Sequence, residues 1–396
     1  MKLSSDIVIS KNIQEQSQKA LENVYAQNYD FQSVFEHAYA TECEEVFEKT
    51  KQFTTLLVLG IGGSALGTSS VLQALGKSLN TSKNVIVLDT IDEETIQKTF
   101  EKINWEETCI NVISKSGGTL ETMLQLSFIE SILKEQFPEN FSKKASERII
   151  CTTGENSLLY NYAQEQNYKT LPVPKNIGGR FSIFTPVGIF PMLFAGVNIP
   201  ELLTGAKEVQ NKKDILTSLV NTQYQAYKEE QRPIMVLMSY HKKLMGLFDW
   251  YRQLLAESLG KNNTTGITPV LATGSTDQHS QIQLYNEGPQ DKLIAFLSAP
   301  FPKDTQTFSV LGIEKKIGLN QAQNSSFIGT KESLKKHQRP FYEIQLEEVT
   351  EKEIGAFLMS HMISIVAMAE MLHVNAFDQP GVEEGKIQAK KLLQTC

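Results

Sequence analysis

The chain reads as an α/β protein: two three-layer αβα domains with mainly parallel sheets, preceded by an N-terminal helical arm. Three observations predict this. Short, continuously apolar runs alternate with stretches at helical spacing. The runs lack the polar alternation of a half-exposed sheet, so their strands are buried on both faces, as parallel strands covered by helices are. The alternation pauses in a charged, Gln-rich segment and then begins again, which gives two blocks.

Residues 1–50 are polar and Gln/Glu-rich, with a helical spacing of largely apolar residues (Ala20, Val24; Val34, His37, Ala38; Val46), and are read as the arm. Thr54–Leu59 is a short apolar run ending in glycines, read as a strand. Ala65–Leu79 follows as a helix, Asn84–Leu88 as a strand ending at Asp89, and Ile91–Glu101 as a helix. Cys109–Ile113 is the third strand, Leu120–Phe137 a long helix and Arg148–Cys151 the fourth strand. Lys207–Gln231 reads as helix between the blocks. Pro233–Met238 and Leu293–Leu297 are strands on either side of a helix at Lys243–Leu259, and Phe341–Gln345 is a late strand. Ile354–His373 is a nearly charge-free helix, placed in the core or at a subunit contact. The expected division is 1–50, 51–210 and 211–396, the boundary between blocks falling near residues 205–215.

The 396 residues carry 38 Lys+Arg against 45 Asp+Glu, a net charge of −7. Hydrophobic residues at 41% and charged residues at 21% exclude a disordered or collagen-like chain. The acidic balance argues against a general affinity for nucleic acid or anionic membrane, yet leaves room for a local cationic pocket. Cys43, Cys109, Cys151 and Cys396 form no CxxC pair and are few for a disulfide scaffold, so a reducing, cytoplasmic compartment is expected. Met1–Lys11 lacks the apolar run of a signal peptide. Phe53–Gly76 and Phe181–Pro200 are uncharged and approach the ~20 residues that span a bilayer. Glycines break the first and prolines the second, so both read as buried strand–turn–helix segments rather than membrane spans.

Six segments carry the chemistry. Gly60-Ile61-Gly62-Gly63-Ser64-Ala65-Leu66-Gly67 follows a strand and opens a helix, where bare backbone N–H groups attract anions. It also fits a dinucleotide fingerprint at Gly60, Gly62 and Ala65, with Asp89 at the end of the next strand. A nicotinamide-dependent dehydrogenase is therefore a rival reading, and a glycine-rich packing turn a third. Ser114-Lys115-Ser116-Gly117-Gly118-Thr119 also joins a strand to a helix. Its hydroxyls, ammonium and permissive glycines suit a phosphate monoester, and capping alone would use only one of those hydroxyls. Gly178-Gly179-Arg180-Phe181-Ser182 places one guanidinium at the edge of apolar chain, as a pocket wall or as a surface arginine.

Glu257 ends a long helix, where the negative end of the dipole strengthens a carboxylate as a base; a solvated helix-end glutamate is the plainer alternative. Gln253 lies four residues before it on the same face. His279 stands among hydroxyl-rich neighbours and is a candidate acid/base, whereas His37, His241, His337, His361 and His373 lie in unremarkable settings. Nothing around His279 completes a metal-ligand spacing. Asp378-Gln379-Pro380-Gly381 is a turn, and the helix after it carries Lys386, by base rates a surface lysine.

Taken in order, these segments resemble the glucose-6-phosphate isomerase family of the sugar-isomerase (SIS) fold group. Ile61-Gly62-Gly63-Ser64 is similar to its sugar-side glycine loop and Ser114–Thr122 to its phosphate loop. Gly178–Ser182 and Glu257–Lys261 are similar to its two signature segments, and Asp277–Ser280 and Phe377–Lys386 complete the order. The match runs from residue 60 to residue 386. Thr185-Pro186 departs from the small Ser-Ala pair usual in the family, and the chain is short for the family; no expected catalytic residue type is missing.

The resemblance implies isomerisation of glucose 6-phosphate and fructose 6-phosphate. His279 and Lys386 serve ring opening, and Glu257 moves a proton between C2 and C1 through a cis-enediolate. Arg180 stabilises the oxyanion. Ser114, Ser116 and Thr119, with the backbone or side chain of Lys115, hold the phosphate, while Gly63, Ser64, Gln253 and Gln379 contact hydroxyls or water. The reaction is redox-neutral, so no metal or organic cofactor is expected. The resemblance further implies a homodimer in which His279 reaches the neighbouring active site. Besides the dehydrogenase, a non-catalytic sugar-phosphate-sensing module of the same fold is the other alternative.

Overall fold

A computed structural model describes residues 1–79 and 81–395, so Cys396 lies outside the described residues. They form two compact units, a first of residues 28–205 and a second of residues 1–27 with 206–396. The chain opens in the second unit with strand β1 (Lys2–Ser5) and helix α1 (Lys11–Gln27). It enters the first unit with α2 (Tyr39–Glu48). There, β2 (Thr55–Leu59), α3 (Leu66–Leu75), β3 (Asn84–Leu88), α4 (Glu93–Phe100), β4 (Thr108–Ser114), α5 (Leu120–Gln136), α6 (Phe141–Arg148), β5 (Ile149–Thr153), α7 (Leu158–Glu165), β6 (Lys169–Pro172) and α8 (Pro186–Phe194) follow. All five strands of its sheet are parallel, in the order β3-β2-β4-β5-β6. The central strands are mostly apolar because helices cover both faces, and Leu57, Ile110, Val112, Ile129 and Ile149 meet in a closed core. Each such side chain contributes roughly 1.5–3 kcal/mol by leaving water.

The helix α9 (Ile199–Val209) leads into α10 (Lys213–Tyr224) and a wide turn at Gln225–Glu229. The second unit continues with β7 (Ile234–Ser239), α11 (Met245–Leu259), β8 (Thr268–Thr273), α12 (Ile282–Glu287) and β9 (Lys292–Ser298). A hairpin of β10 (Phe308–Val310) and β11 (Ile313–Ile317) follows, then α13 (Leu319–Lys336), β12 (Phe341–Gln345), α14 (Glu351–Met371) and α15 (Pro380–Thr395). The main sheet has the order β1-β12-β9-β7-β8, parallel except for β1. Val236, Met238, Ile294 and Phe296 form its core with Phe327 and Phe341.

The α/β class and the two mainly parallel sheets agree with the sequence reading, but several elements differ. Residues 1–27 group with the second unit instead of with 28–50 as one arm, because β1 pairs antiparallel with β12, Leu3 opposite Ile344. The single helix expected over Lys207–Gln231 is interrupted between Val209 and Lys213. The helix expected to reach Leu79 ends at Leu75, where Gly76 takes a positive φ of 50°. The uncharged stretches 53–76 and 181–200 are buried strand–turn–helix and turn–helix segments. Of the described helices, α14 is long and apolar enough to cross a membrane, and it is almost wholly buried within the protein.

Candidate active site

In a doubly wound sheet, ligands collect beyond the carboxyl ends of the strands, where the strand order reverses. In the first unit that reversal lies between β2 and β4. The loops leaving these two strands are Gly60–Gly67 and Lys115–Thr119, so topology brings both glycine-rich segments to one crevice.

Each loop is built by its own chemistry. Gly63 lies so close to the next glycine segment that a Cβ there would sit 2.3 Å from the carbonyl carbon of Gly179. This contact packs the Gly60–Gly67 loop against the turn that carries Arg180. Gly117 has a φ of +66°, and a Cβ on it would meet the Leu159 nitrogen at 2.3 Å, so the phosphate-type loop turns only with glycine there. The Ser114 and Thr119 hydroxyls lie 3.0 Å apart. Exposed Ser116 accepts a bond from Gly118 N–H at 3.3 Å. Thr119 is the N-cap of α5 but makes no side-chain capping bond. Thr122, in the first turn, has a buried hydroxyl oxygen without a protein partner. A helix start with uncapped N–H groups, ringed by hydroxyls, is a seat for an anion.

Lys115 departs from one of the two expectations set for it. Its ammonium donates to the carbonyls of Lys175 (2.6 Å) and Ile177 (3.0 Å). The side chain thus ties the phosphate-type loop to the segment entering Gly178-Gly179-Arg180, which leaves the Lys115 backbone as its contribution to an anion. Burial lowers the pKa of this ammonium. Arg180 is buried, only 3% exposed, with its guanidinium 5.6 Å from the Phe181 ring centre. The Thr185-Pro186 pair is absorbed locally: the Thr185 hydroxyl accepts from Val187 N–H and Pro186 starts α8, so the pair caps the helix. The first unit therefore brings together Gly63, Ser64, Ser114, Lys115, Ser116, Thr119 and Arg180 on three neighbouring loops.

In the second unit, Gln253 donates to Glu257 Oε1 at 3.1 Å, as the four-residue spacing on α11 requires. Both are partly buried, and the Gln253 carbonyl oxygen is buried without a partner. His279 is exposed on a tightly made turn. Asp277 accepts from Thr273 N–H (2.6 Å) and from the Ser280 hydroxyl (2.8 Å). Gln323 donates to the carbonyls of Tyr240 and Gly274, and Tyr240 donates to Gln278. Burial acts to raise the Asp277 pKa, but its accepted hydrogen bonds outweigh this and hold it below the ordinary carboxylate value. The turn is fixed, and its histidine faces outward.

The structure does not bring His279 and Glu257 together within the second unit. α11 returns from the carboxyl end of β7 to the amino end of β8, so Glu257 lies at one end of the sheet. His279 follows the carboxyl end of β8. Six residues of strand separate these ends by about 20 Å. Gln379 immediately precedes α15 and Lys386 lies within it, where exposed Lys386 pairs with Glu383 at 2.9 Å. Sequence reasoning gave no role to Lys261 or Asp378, which bond to each other; a Lys just past the helix that carries the candidate base Glu257 was the signal available.

These features define a class: a doubly wound α/β protein with a phosphate-type anion seat at its switch point and a buried arginine beside it. The sequence model of the phosphoglucose isomerase family matches residues 10–299. The glucose-6-phosphate isomerase of Carboxydothermus hydrogenoformans is 39% identical over 378 residues, covering 88% of this chain and 80% of that protein. That of Methanocaldococcus jannaschii is 34% identical over 357 residues, covering 88% and 86%. The crystal structure of a hypothetical protein from Thermus thermophilus superposes with a TM-score of 0.86 at 27% identity, covering 99% of this chain and 100% of the other. The chain belongs to the phosphoglucose isomerase family.

Proposed function

We propose that Glu257, His279, Lys386 and Arg180 carry out, in this chain, the reversible isomerisation of glucose 6-phosphate and fructose 6-phosphate that family membership brings. The observation that carries the reading is the anion seat at the switch point: uncapped α5, the hydroxyls of Ser114, Ser116 and Thr119, and the unpartnered Thr122 oxygen. It suits the 6-phosphate, whose binding positions the remote reacting carbons.

The ring opens when the anomeric hydroxyl loses its proton and the ring oxygen gains one, the step assigned to His279 and Lys386. Glu257 then takes the C2 proton of the open aldose and returns it to C1. The hydroxyl proton moves between O2 and O1, so no atom is gained or lost. Gln253 orients the Glu257 carboxylate through its amide, and Arg180 stabilises the oxyanion of the cis-enediolate. Gly63, Ser64 and Gln379 contact hydroxyls or water. The roughly 20 Å of strand between the Glu257 and His279 ends of one sheet, with His279 exposed on a fixed turn, supports a homodimer in which His279 serves the neighbouring subunit's site. The described cysteines are unpaired and buried, in keeping with a reducing cytoplasm.

The test is isomerase activity on fructose 6-phosphate without added metal or nucleotide. Glu257→Gln should lower turnover by at least roughly 10²-fold while phosphosugar affinity stays within several-fold. Near-wild-type turnover in that variant removes Glu257 as the base. Binding of NAD or NADP in place of turnover would favour a dehydrogenase.

A further inference from the structure

We infer that Lys261 and Asp378 form a latch that positions the tail carrying Gln379 and Lys386 against the end of the Glu257 helix. The inference rests on the roles proposed above for Glu257 and Lys386.

Lys261 lies four residues past Glu257, just beyond Gly260, the C-cap of α11. Its side chain is 8% exposed, unusual for a lysine. The ammonium donates twice to one residue 117 positions away in sequence: to Asp378 Oδ1 at 2.9 Å, and to the Asp378 backbone carbonyl. The other carboxylate oxygen, Oδ2, accepts from Asn375 Nδ2 at 3.1 Å, and Asn375 Oδ1 in turn accepts from Phe377 N–H at 2.9 Å. Asp378 is thus held from both sides, its side chain and its main chain together.

The next two residues are Gln379 and Pro380, and Pro380 begins α15. A proline with fixed φ at a helix start gives the helix a defined exit direction from the residue before it. Lys386 lies six residues further, about 9 Å along the axis. The side chains of α15 from Gly381 to Leu393 are exposed, so the helix takes little of its placement from a buried apolar face. The Lys261–Asp378 junction is then a contact that helps fix where α15 starts. A charge pair shielded on the lysine side, with a carbonyl as a second acceptor, is also stiffer than a surface ion pair.

Lys261 and Asp378 are therefore positioning residues for ring opening. They do not touch the reacting atoms. Loss of the latch should cost the step that needs Lys386 and spare the proton transfer at Glu257.

The experiment compares glucose 6-phosphate with a 4,5-dideoxyhexose 6-phosphate, which lacks both ring-forming hydroxyls and stays open. Lys261→Met should lower kcat on glucose 6-phosphate at least 30-fold with KM within threefold, and leave the open-chain substrate within threefold of wild type. Lys261→Arg, which keeps the charge and reach, should restore kcat on glucose 6-phosphate to within about threefold. Asp378→Asn supplies a second route should Lys261→Met fail to fold, with the same selective loss expected. Equal losses on both substrates, or no loss on the cyclic one, overturn the latch. Glu257→Gln, measured alongside, should fail on both substrates. If it does not, the base assignment fails independently of the outcome at Lys261.

Discussion

Leu59 and Ser114 end the strands flanking the order reversal in the first unit; Ser239 and Ser298 do so in the second, between β7 and β9. Counted from its first parallel strand, each sheet runs second, first, third, fourth. The crevices are nonetheless furnished in opposite ways. In the first unit the loops offer glycine backbone, hydroxyls and an uncapped helix start. In the second, His241 stacks on Phe301 with ring centres 4.0 Å apart and bonds through Nε2 to the Ala299 carbonyl at 2.8 Å. Ser239 donates to the Leu297 carbonyl at 2.6 Å. Here the polar groups are spent on one another across the reversal. Topology makes a crevice in both units, and side-chain chemistry decides which one can take a ligand.

The sharpest way to break this comparison is to close the first crevice. Gly63→Ala places a methyl 2.3 Å from the Gly179 carbonyl carbon and 2.7 Å from the Arg180 nitrogen, so the two loops must separate. If both serve the site as proposed, displacing Arg180 and the Gly60–Gly67 loop by about 1 Å should lower kcat/KM at least roughly 10²-fold. Steady-state kinetics check this, with far-UV circular dichroism to show that the fold is kept. Activity within threefold of wild type would mean that the glycine contact does not shape the site.

A smaller effect is expected from Ser116→Ala. The exposed hydroxyl would give one charge-assisted bond to the phosphate, worth roughly 1.5 kcal/mol, or about tenfold in affinity. KM should rise by about that factor with kcat nearly unchanged. An unchanged KM would place the anion elsewhere on the loop.

Much of this was legible before the structure. The β4 loop declared itself because several hydroxyls at one helix start exceed what capping uses, and the Asn84–Leu88 and Phe341–Gln345 strands were found to the residue. Three kinds of feature were hidden. β1 is only four residues, three of them polar, and exists because β12 offers an edge. The Lys115 ammonium binds carbonyls 60 and 62 residues away, and no local pattern encodes carbonyl acceptors. His241 looked ordinary because its partners, Ala299 and Phe301, reach it only through the β7–β9 pairing. Local chemistry can be read from composition at short range, whereas partnerships across a sheet need its strand order.

The weakest functional effect should come from the filled crevice, and it separates the two units most cleanly. His241→Phe keeps an aromatic ring against Phe301 but removes the Nε2–H donor to Ala299. At pH 7 this should cost about 1 kcal/mol of stability and leave activity within twofold. The acid limb behaves differently. Burial lowers the His241 pKa from its ordinary value of 6.5, and the Ala299 hydrogen bond only partly opposes this. As pH falls through 6.5, the unfolded chain takes up a proton that native His241 resists, so wild-type stability declines with falling pH. Phenylalanine has no such proton to bind. Buried His361, whose pKa falls to about 4 on burial, contributes the same acid loss to both proteins and cancels in the comparison. The stability gap between wild type and His241→Phe should therefore shrink from pH 7 to pH 5, as measured by denaturant melts at both values. A gap that stays constant would mean that His241 is not held neutral by its burial. A tenfold loss of turnover at pH 7 would mean that the second crevice takes part in catalysis after all.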